Sequence, residues 1–183
     1  MKLTLLFGVA IFAVVLSMDS CRHPPPQPGA VYNIAASWGV CVEDLSGDRV
    51  DPQELDLMLA ELSRVWRKEF PGTDPDGFFA DYGPRVLMVD HLINCTHLEV
   101  GRWAGDVSLC EGLWPGDGPT IFIKKNPRGL QCTALVHELL HLLSADLGKG
   151  SDPKHKNKKV WGIETAVRAR LTSLPGFSNC GKD

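Results

Sequence analysis

The chain has no excess of positive charge. Its 19 Lys and Arg residues are outnumbered by 22 Asp and Glu residues, which gives a formal net charge of -3. Proteins that bind nucleic acid through the phosphate backbone usually carry a surplus of Lys and Arg on one face. We therefore expect no nucleic-acid partner.

Internal repeats are also missing, which argues against a solenoid or a propeller. The 183 residues, of which 44% are hydrophobic, are enough to bury one real core. We expect a single folded domain and place it at residues 31–183.

Only one long apolar run is present, and it lies at the start of the chain. Leu3 to Leu16 follows the basic residue Lys2. The run is too short to span a bilayer comfortably, but it suits the core of a signal peptide. We predict a signal peptide over residues 1–20, and therefore export.

The sequence Met18-Asp19-Ser20-Cys21 ends this segment. It resembles the lipobox of bacterial lipoproteins, which implies cleavage before Cys21, acylation of that cysteine and a membrane partner through the lipid anchor. An ordinary cleaved signal peptide is the alternative. Residues 21–30 would form a tether, because the four prolines between Arg22 and Gly29 prevent helix and sheet. The expected location is the bacterial cell envelope, anchored at the outer membrane or in the periplasm.

Six cysteines in an exported chain predict disulfides. If Cys21 is acylated, five remain, so at most two bridges can form and one thiol is left over. The sequence does not fix the pairing. We favour Cys95 with Cys110, because a glycine-rich turn region separates them.

The firmest helix is predicted from Pro52 to about Phe70. Asp51 can cap it, Pro52 suits its first position, and Glu54 completes a capping box. Apolar residues recur on one face of this helix, namely Leu55, Met58, Leu59, Leu62 and Trp66. This pattern indicates a packing helix without chemistry of its own.

The remaining pattern predicts an α+β fold, in which a small mixed sheet packs on helices. Strands are expected over Arg85 to Asp90 and over Thr120 to Lys125, where Ile121 and Ile123 share a face. Turn-rich loops are expected over Pro71 to Gly83 and over Gly101 to Pro119. Two further helices are expected from about Leu130 to Leu147 and from Val160 to Leu174.

The first of these two helices carries an H-E-x-x-H motif, formed by His137, Glu138 and His141. Histidines four residues apart project from one face of a helix and can reach one metal ion. Glu138 is turned about 100° round the axis, where it can reach a water beside the ion without binding the ion. The motif predicts zinc bound by His137 and His141, with Glu138 as the catalytic base.

The rest of this helix favours the same interpretation. One stripe along it is polar or small, and it consists of Ala134, His137, Glu138, His141, Ser144 and Ala145. The other faces are apolar and predict a buried helix. Burying two imidazoles and a carboxylate without partners would cost roughly several kcal/mol of free energy, and a bound divalent cation would offset that cost. Cys132 lies on roughly the opposite side and is expected in the core or in a disulfide, and His23, His91 and His97 lack metal-ligand spacing.

At this point the chain resembles the zincin metallopeptidases, over roughly Pro119 to Leu174. In that family an H-E-x-x-H helix lies beneath a cleft whose edge is a substrate-binding β-strand. The resemblance implies Zn2+, a peptide or protein substrate and hydrolysis by a metal-activated water, and it puts Thr120 to Lys125 in the place of the edge strand. The chain would then be a zincin carried on a bacterial lipoprotein.

The third metal ligand stays open between two residues. The metzincin spacing fails, because it would need a ligand at Leu147. His155 is favoured, since imidazole suits zinc and Asp152-Pro-Lys-His155 resembles a segment that follows H-E-x-x-H in many short exported bacterial proteins. Asp152 could then orient His155, and Glu164 would be a surface or salt-bridging group. Glu164 is the gluzincin-like alternative, in which His155 could instead stabilise the oxyanion.

Two rival functions remain. In a zinc-stabilised binding lipoprotein without catalysis, protein groups would fill all four metal positions, for instance through both His155 and Glu164. Three protein ligands and one open position would favour an enzyme. An amide hydrolase that acts on the cell wall would share the same site.

Overall fold

The computed structural model describes residues 31–35, 38–44, 51–95, 109–116, 118–124, 132–150, 155–175 and 177. The predicted signal peptide, the tether with Cys21, and also His23, His97, Asp152 and Cys180 lie outside these residues. The boundaries predicted for the signal peptide and the tether therefore stay predictions.

The described part of the chain contains seven strands: β1 (Val31–Ala35), β2 (Val40–Asp44), β3 (Arg85–Val89), β4 (Ile93–Asn94), β5 (Leu109–Cys110), β6 (Gly112–Leu113) and β7 (Thr120–Lys124). Five of them form one sheet in the order β1-β2-β3-β7-β6, and β4 pairs with β5. The sheet is mixed, because β2, β3 and β7 run parallel while β1 and β6 are antiparallel to their neighbours.

The same residues contain four helices: α1 (Pro52–Glu69), α2 (Pro75–Tyr82), α3 (Cys132–Asp146) and α4 (Lys158–Thr172). None of these helices is both long and apolar enough to cross a lipid bilayer. The prediction of an α+β fold with a small mixed sheet is confirmed at this level.

Helix α1 matches its prediction closely. Asp51 caps it by accepting a hydrogen bond from the backbone N–H of Gln53, and Pro52 occupies the first turn. The five apolar side chains predicted to form its packing face are all buried. They join one hydrophobic core with every second residue of the central strands, which are Val40 and Val42, Val86 and Met88, and Ile121 and Ile123.

The predicted loop over residues 71–83 is wrong, because it contains helix α2. Asp74 caps this helix by accepting from the backbone N–H of Gly77, and Pro75 stands at its start. Gly83 ends it in the left-handed region at a φ of 59°. A helix of 8 residues offers too few turns for a clear apolar period, so the turn residues at its ends determined the prediction.

The predicted loop over residues 101–119 is also corrected, since β5 and β6 lie within it. Strand β7 lies between β3 and β6 and pairs with both. Strand β6 has a partner on one side, which is β7. Thr120 to Lys124 is therefore an inner strand, and the expectation that it takes the place of the edge strand is wrong. Among the described residues, the edge on this side of the sheet belongs to Gly112 and Leu113. A strand of two residues is too short to show an alternating pattern, so it cannot be predicted from the sequence in this way.

The predicted pairing of Cys95 with Cys110 is confirmed, with Cα atoms 6.1 Å apart. The bridge links Cys95, the residue after β4, to Cys110 in β5, and the two strands pair in antiparallel orientation. Cys132 is buried and disulfide-bonded, as expected, and Cys41 is disulfide-bonded as well. No cysteine is free in the part of the chain that the structure describes.

Candidate metal centre

Helix α3 displays the motif as its spacing predicts. His137 and His141 are half-buried, and their rings lie edge to face with centroids 4.9 Å apart. Glu138 points into the protein and is only 7% exposed. The apolar residues on the other faces of α3 are buried in the core, so packing fixes the backbone from which the two imidazoles project.

His155, three residues before α4 begins, joins this pair. The Nε2 atom of His141 lies 3.2 Å from Nε2 of His137 and 3.2 Å from Nε2 of His155. One ring nitrogen from each of the three histidines lies within 4.8 Å of the other two. Of the groups of three or more ligand-type side chains in the described residues, this is the one whose atoms converge closely enough to hold an ion.

The donor set fits zinc. Zinc–nitrogen bonds of about 2.0–2.1 Å in a tetrahedral site put the donor atoms about 3.3 Å apart, close to the two spacings at His141. A neutral imidazole has one N–H group, so three Nε2 atoms that face each other cannot all be satisfied by hydrogen bonds among themselves. A divalent cation would accept a lone pair from each of them.

Glu164 lies on another side of His137. Its Oε2 atom is 3.2 Å from His137 Nδ1, the ring nitrogen that does not face the other histidines. Its Oε1 atom is 3.9 Å from Nη1 of Arg168. Glu164 is thus placed to accept a hydrogen bond from the Nδ1–H group of His137, which would direct the Nε2 lone pair of His137 toward the other histidines.

The charges around His137 change its pKa. Burial lowers the pKa of His137, but the hydrogen bond with Glu164 and the negative charges of Glu138 and Glu164 outweigh this effect, so its pKa is raised. The carboxylates therefore favour positive charge at this position, and a cation bound at the neutral ring would benefit from the same attraction.

Glu138 is held by the edge of the sheet. Its Oε2 atom accepts a hydrogen bond of 2.7 Å from the backbone N–H of Trp114, which directly follows β6. Burial raises the pKa of Glu138 and the charge of Glu164 adds to this rise, while His137 and the Trp114 N–H oppose it. A carboxylate with a raised pKa is a better proton acceptor than an exposed one.

Gly112 in β6 leaves the space that Glu138 occupies. A Cβ atom at this position would lie 3.0 Å from both Cγ and Oε1 of Glu138, and 3.3 Å from the Cβ of Ala134. Both Gly112 and Trp114 were missed from the sequence, because they belong to the two-residue strand and to the residue after it. Nothing in the local pattern separates them from a glycine-rich loop.

Trp161 was missed as well. Its ring centroid lies 4.8 Å from that of His137, 4.8 Å from that of His141 and 4.3 Å from that of His155. Trp161 and Glu164 are three residues apart on α4 and therefore face the same way. This spacing is a signal that the sequence did contain.

The other predicted positions fall outside the centre. His91 is exposed and its Nδ1 atom lies 2.8 Å from Oδ1 of the neighbouring Asp90. Cys132 is buried away from the histidines, which agrees with its exclusion as a ligand.

Comparisons of the chain with protein-family models, with curated proteins and with solved structures found no match, so its function has to be inferred from the three histidines and the residues that surround them.

Proposed function

We propose that the chain is a zinc-dependent peptidase of the bacterial cell envelope. His137, His141 and His155 would hold the ion, and Glu138 would be the general base. The observation that carries this proposal is the convergence of the three Nε2 atoms at the helix that also carries the buried Glu138, whose negative charge acts on His137. The predicted signal peptide and lipid anchor on Cys21 would place the enzyme in the envelope.

The number of protein ligands supports an enzyme over a zinc-stabilised binding protein. Among the described residues three histidine nitrogens converge, and the carboxylate of Glu164 on α4 contacts Nδ1 of His137 rather than joining them. A zinc site with three protein ligands keeps a fourth position for water or substrate, as catalytic sites do. A structural site would fill that position with a protein group.

When bound, zinc would act as a Lewis acid on the water and on the scissile carbonyl. Glu138 would take a proton from the attacking water and deliver it to the leaving amine. Its carboxylate is fixed by the Trp114 N–H, so Oε1 is left to make this transfer. Glu164 would orient His137 through its Nδ1 atom.

Strand β6 supports a peptide substrate. Among the described residues it lies at the edge of the sheet and pairs on one side with β7, and it adjoins Glu138 through Gly112. An extended peptide can add to such an edge through backbone hydrogen bonds. The amide of a cell-wall polymer would meet the same base and the same donors, so an assay with both substrates has to distinguish a peptide from a cell-wall amide.

The experiment uses the full chain with a peptide library and a cell-wall preparation as substrates. His137→Ala and His141→Ala should each abolish stoichiometric zinc, because each removes one of three donors. Glu138→Gln should retain zinc and lose hydrolysis, since it removes the base and no ligand. Full zinc occupancy by elemental analysis in both histidine variants, or normal hydrolysis by Glu138→Gln, would refute the proposal.

A further inference from the structure

Trp161 contacts all three histidines of the candidate centre. The four rings are mutually close, with the indole tilted by 32° to His137 and by 63° and 66° to His141 and His155. Indole has only an N–H donor and offers no lone pair to a metal. Its contribution to the centre is therefore the packing of its ring against the imidazoles.

The three histidines differ in how firmly the surrounding structure fixes their positions. His137 and His141 are fixed by one buried helix. His155 precedes α4, is exposed, and has a φ of 52°, which lies in the left-handed region that few residues other than glycine adopt, histidine more often than most. Residues held in such a conformation persist only where their surroundings fix them.

Trp161 supplies such a contact for His155. The ring pair between them is the closest of the three, at 4.3 Å. Trp161 lies in the first turn of α4, which is capped by the side chain of Asn157, whose oxygen accepts from the backbone N–H groups of Lys159 and Val160. The cap fixes the start of the helix, and the helix fixes the indole against His155.

We propose that Trp161 is a positioning residue of the metal centre, whose indole ring holds the imidazole of His155 against those of His137 and His141 before an ion binds. The proposal rests on the proposed zinc site and adds to it the residue that assembles the three donors. Loss of a residue that orients metal ligands typically weakens metal affinity by about 10- to 100-fold.

The experiment compares Trp161→Ala, Trp161→Leu and Trp161→Phe in the full chain. Trp38→Leu is the matched control, because Trp38 is also half-buried and its ring packs on Phe79 of α2. Zn2+ affinity is measured by competition with a chromophoric chelator, and the folding of each metal-free variant is followed by thermal unfolding. The leucine and phenylalanine variants keep an apolar side chain, so the test does not depend on the alanine variant folding.

Trp161→Leu should bind Zn2+ about 10- to 100-fold more weakly than the wild type, while Trp161→Phe recovers most of the affinity because it restores an aromatic ring. Trp38→Leu should lower the unfolding temperature without changing the affinity. If Trp161→Leu binds Zn2+ within about twofold of Trp38→Leu, the proposal is overturned, since a purely structural role would give that result. Absence of Zn2+ binding in the wild type would instead overturn the metal centre itself.

A second measurement uses the wild-type chain. Co2+ quenches a nearby indole, so its addition should reduce the fluorescence of the wild type by more than that of Trp161→Phe, which retains the other four of the chain's five tryptophans. Equal quenching of the two proteins at saturating Co2+ would show that the indole does not lie against the bound ion.

Discussion

Gly112→Ala tests the link between the edge strand and the general base. The added methyl group would lie 3.0 Å from both Cγ and Oε1 of Glu138. Favourable contacts between carbon atoms need about 3.5–4.0 Å, so either the strand or the carboxylate must move by several tenths of an ångström. The backbone of Gly112 does not have a positive φ, so alanine is compatible with the strand itself.

Glu138 cannot simply follow the displacement, because its other oxygen is held by the Trp114 N–H at 2.7 Å. A misplacement of about 1 Å can cost about 100-fold in rate, so a shift of about half that size should lower kcat by about tenfold or more. The three atoms nearest to the added methyl group belong to Glu138 and Ala134 and none to a histidine, so Zn2+ affinity should stay within about twofold of the wild type. The change should therefore separate catalysis from metal binding.

Gly162→Ala is the matched control, since a Cβ atom at this exposed position of α4 would meet nothing within 4 Å. It should stabilise the helix by about 0.5–1 kcal/mol and leave kcat unchanged. Turnover of a peptide substrate and Zn2+ competition are measured for both variants. Wild-type turnover by Gly112→Ala, or loss of zinc in that variant, would refute the role assigned to β6.

Two further predictions concern the site, and a third concerns the segment that ends at Cys21. His155→Ala should weaken Zn2+ binding by orders of magnitude in a chelator titration, whereas Glu164→Gln should weaken it only modestly because the amide oxygen can still accept from His137; the reverse order would make Glu164 the ligand. In the metal-free chain burial and the charge of Glu164 raise the pKa of Glu138. Glu164→Gln at saturating Zn2+ should therefore move the acid limb of kcat/KM to lower pH, and an unmoved limb would contradict this. The mature chain should begin at an acylated Cys21, and mass spectrometry that finds an unmodified N-terminus downstream of Cys21 would exclude this.

The parts of the fold that the sequence predicted are those with several periods of a pattern. Helix α1 repeats its apolar face over 18 residues, and the two isoleucines of β7 mark the buried face of a strand. The sequence did not reveal α2, β4, β5 or β6, because each is too short to repeat a pattern. Strands β1 and β2, although as long as β7, were not predicted either. Pairing with distant strands fixes β6, and such long-range contacts leave no local signature.

The candidate site divides in the same way. His137, Glu138 and His141 lie within one helical turn and a half, so helix geometry alone relates their side chains. The position of His155 depends on how the segment before α4 returns to α3, which sequence spacing does not determine. The sequence left two residues open for the third ligand, and the structure puts them on different nitrogens of the same cluster: Glu164 at Nδ1 of His137, and His155 at Nε2 of His141.

The residues of α4 that support the histidines leave a signal in the sequence, although Trp161 was missed. Trp161, Glu164 and Arg168 recur at intervals of three and four residues, so one face of the helix is aromatic and charged where a packing face would be apolar. The adjoining positions Val160, Ile163, Val167 and Leu171 are buried and dock α4 in the core. That docking presents the indole to the imidazoles and the carboxylate to His137 Nδ1. The helix that follows an H-E-x-x-H helix can therefore carry a polar stripe beside an apolar one. Such a pattern predicts that residues of the polar stripe contact the histidines, and it does not require any of them to bind the metal.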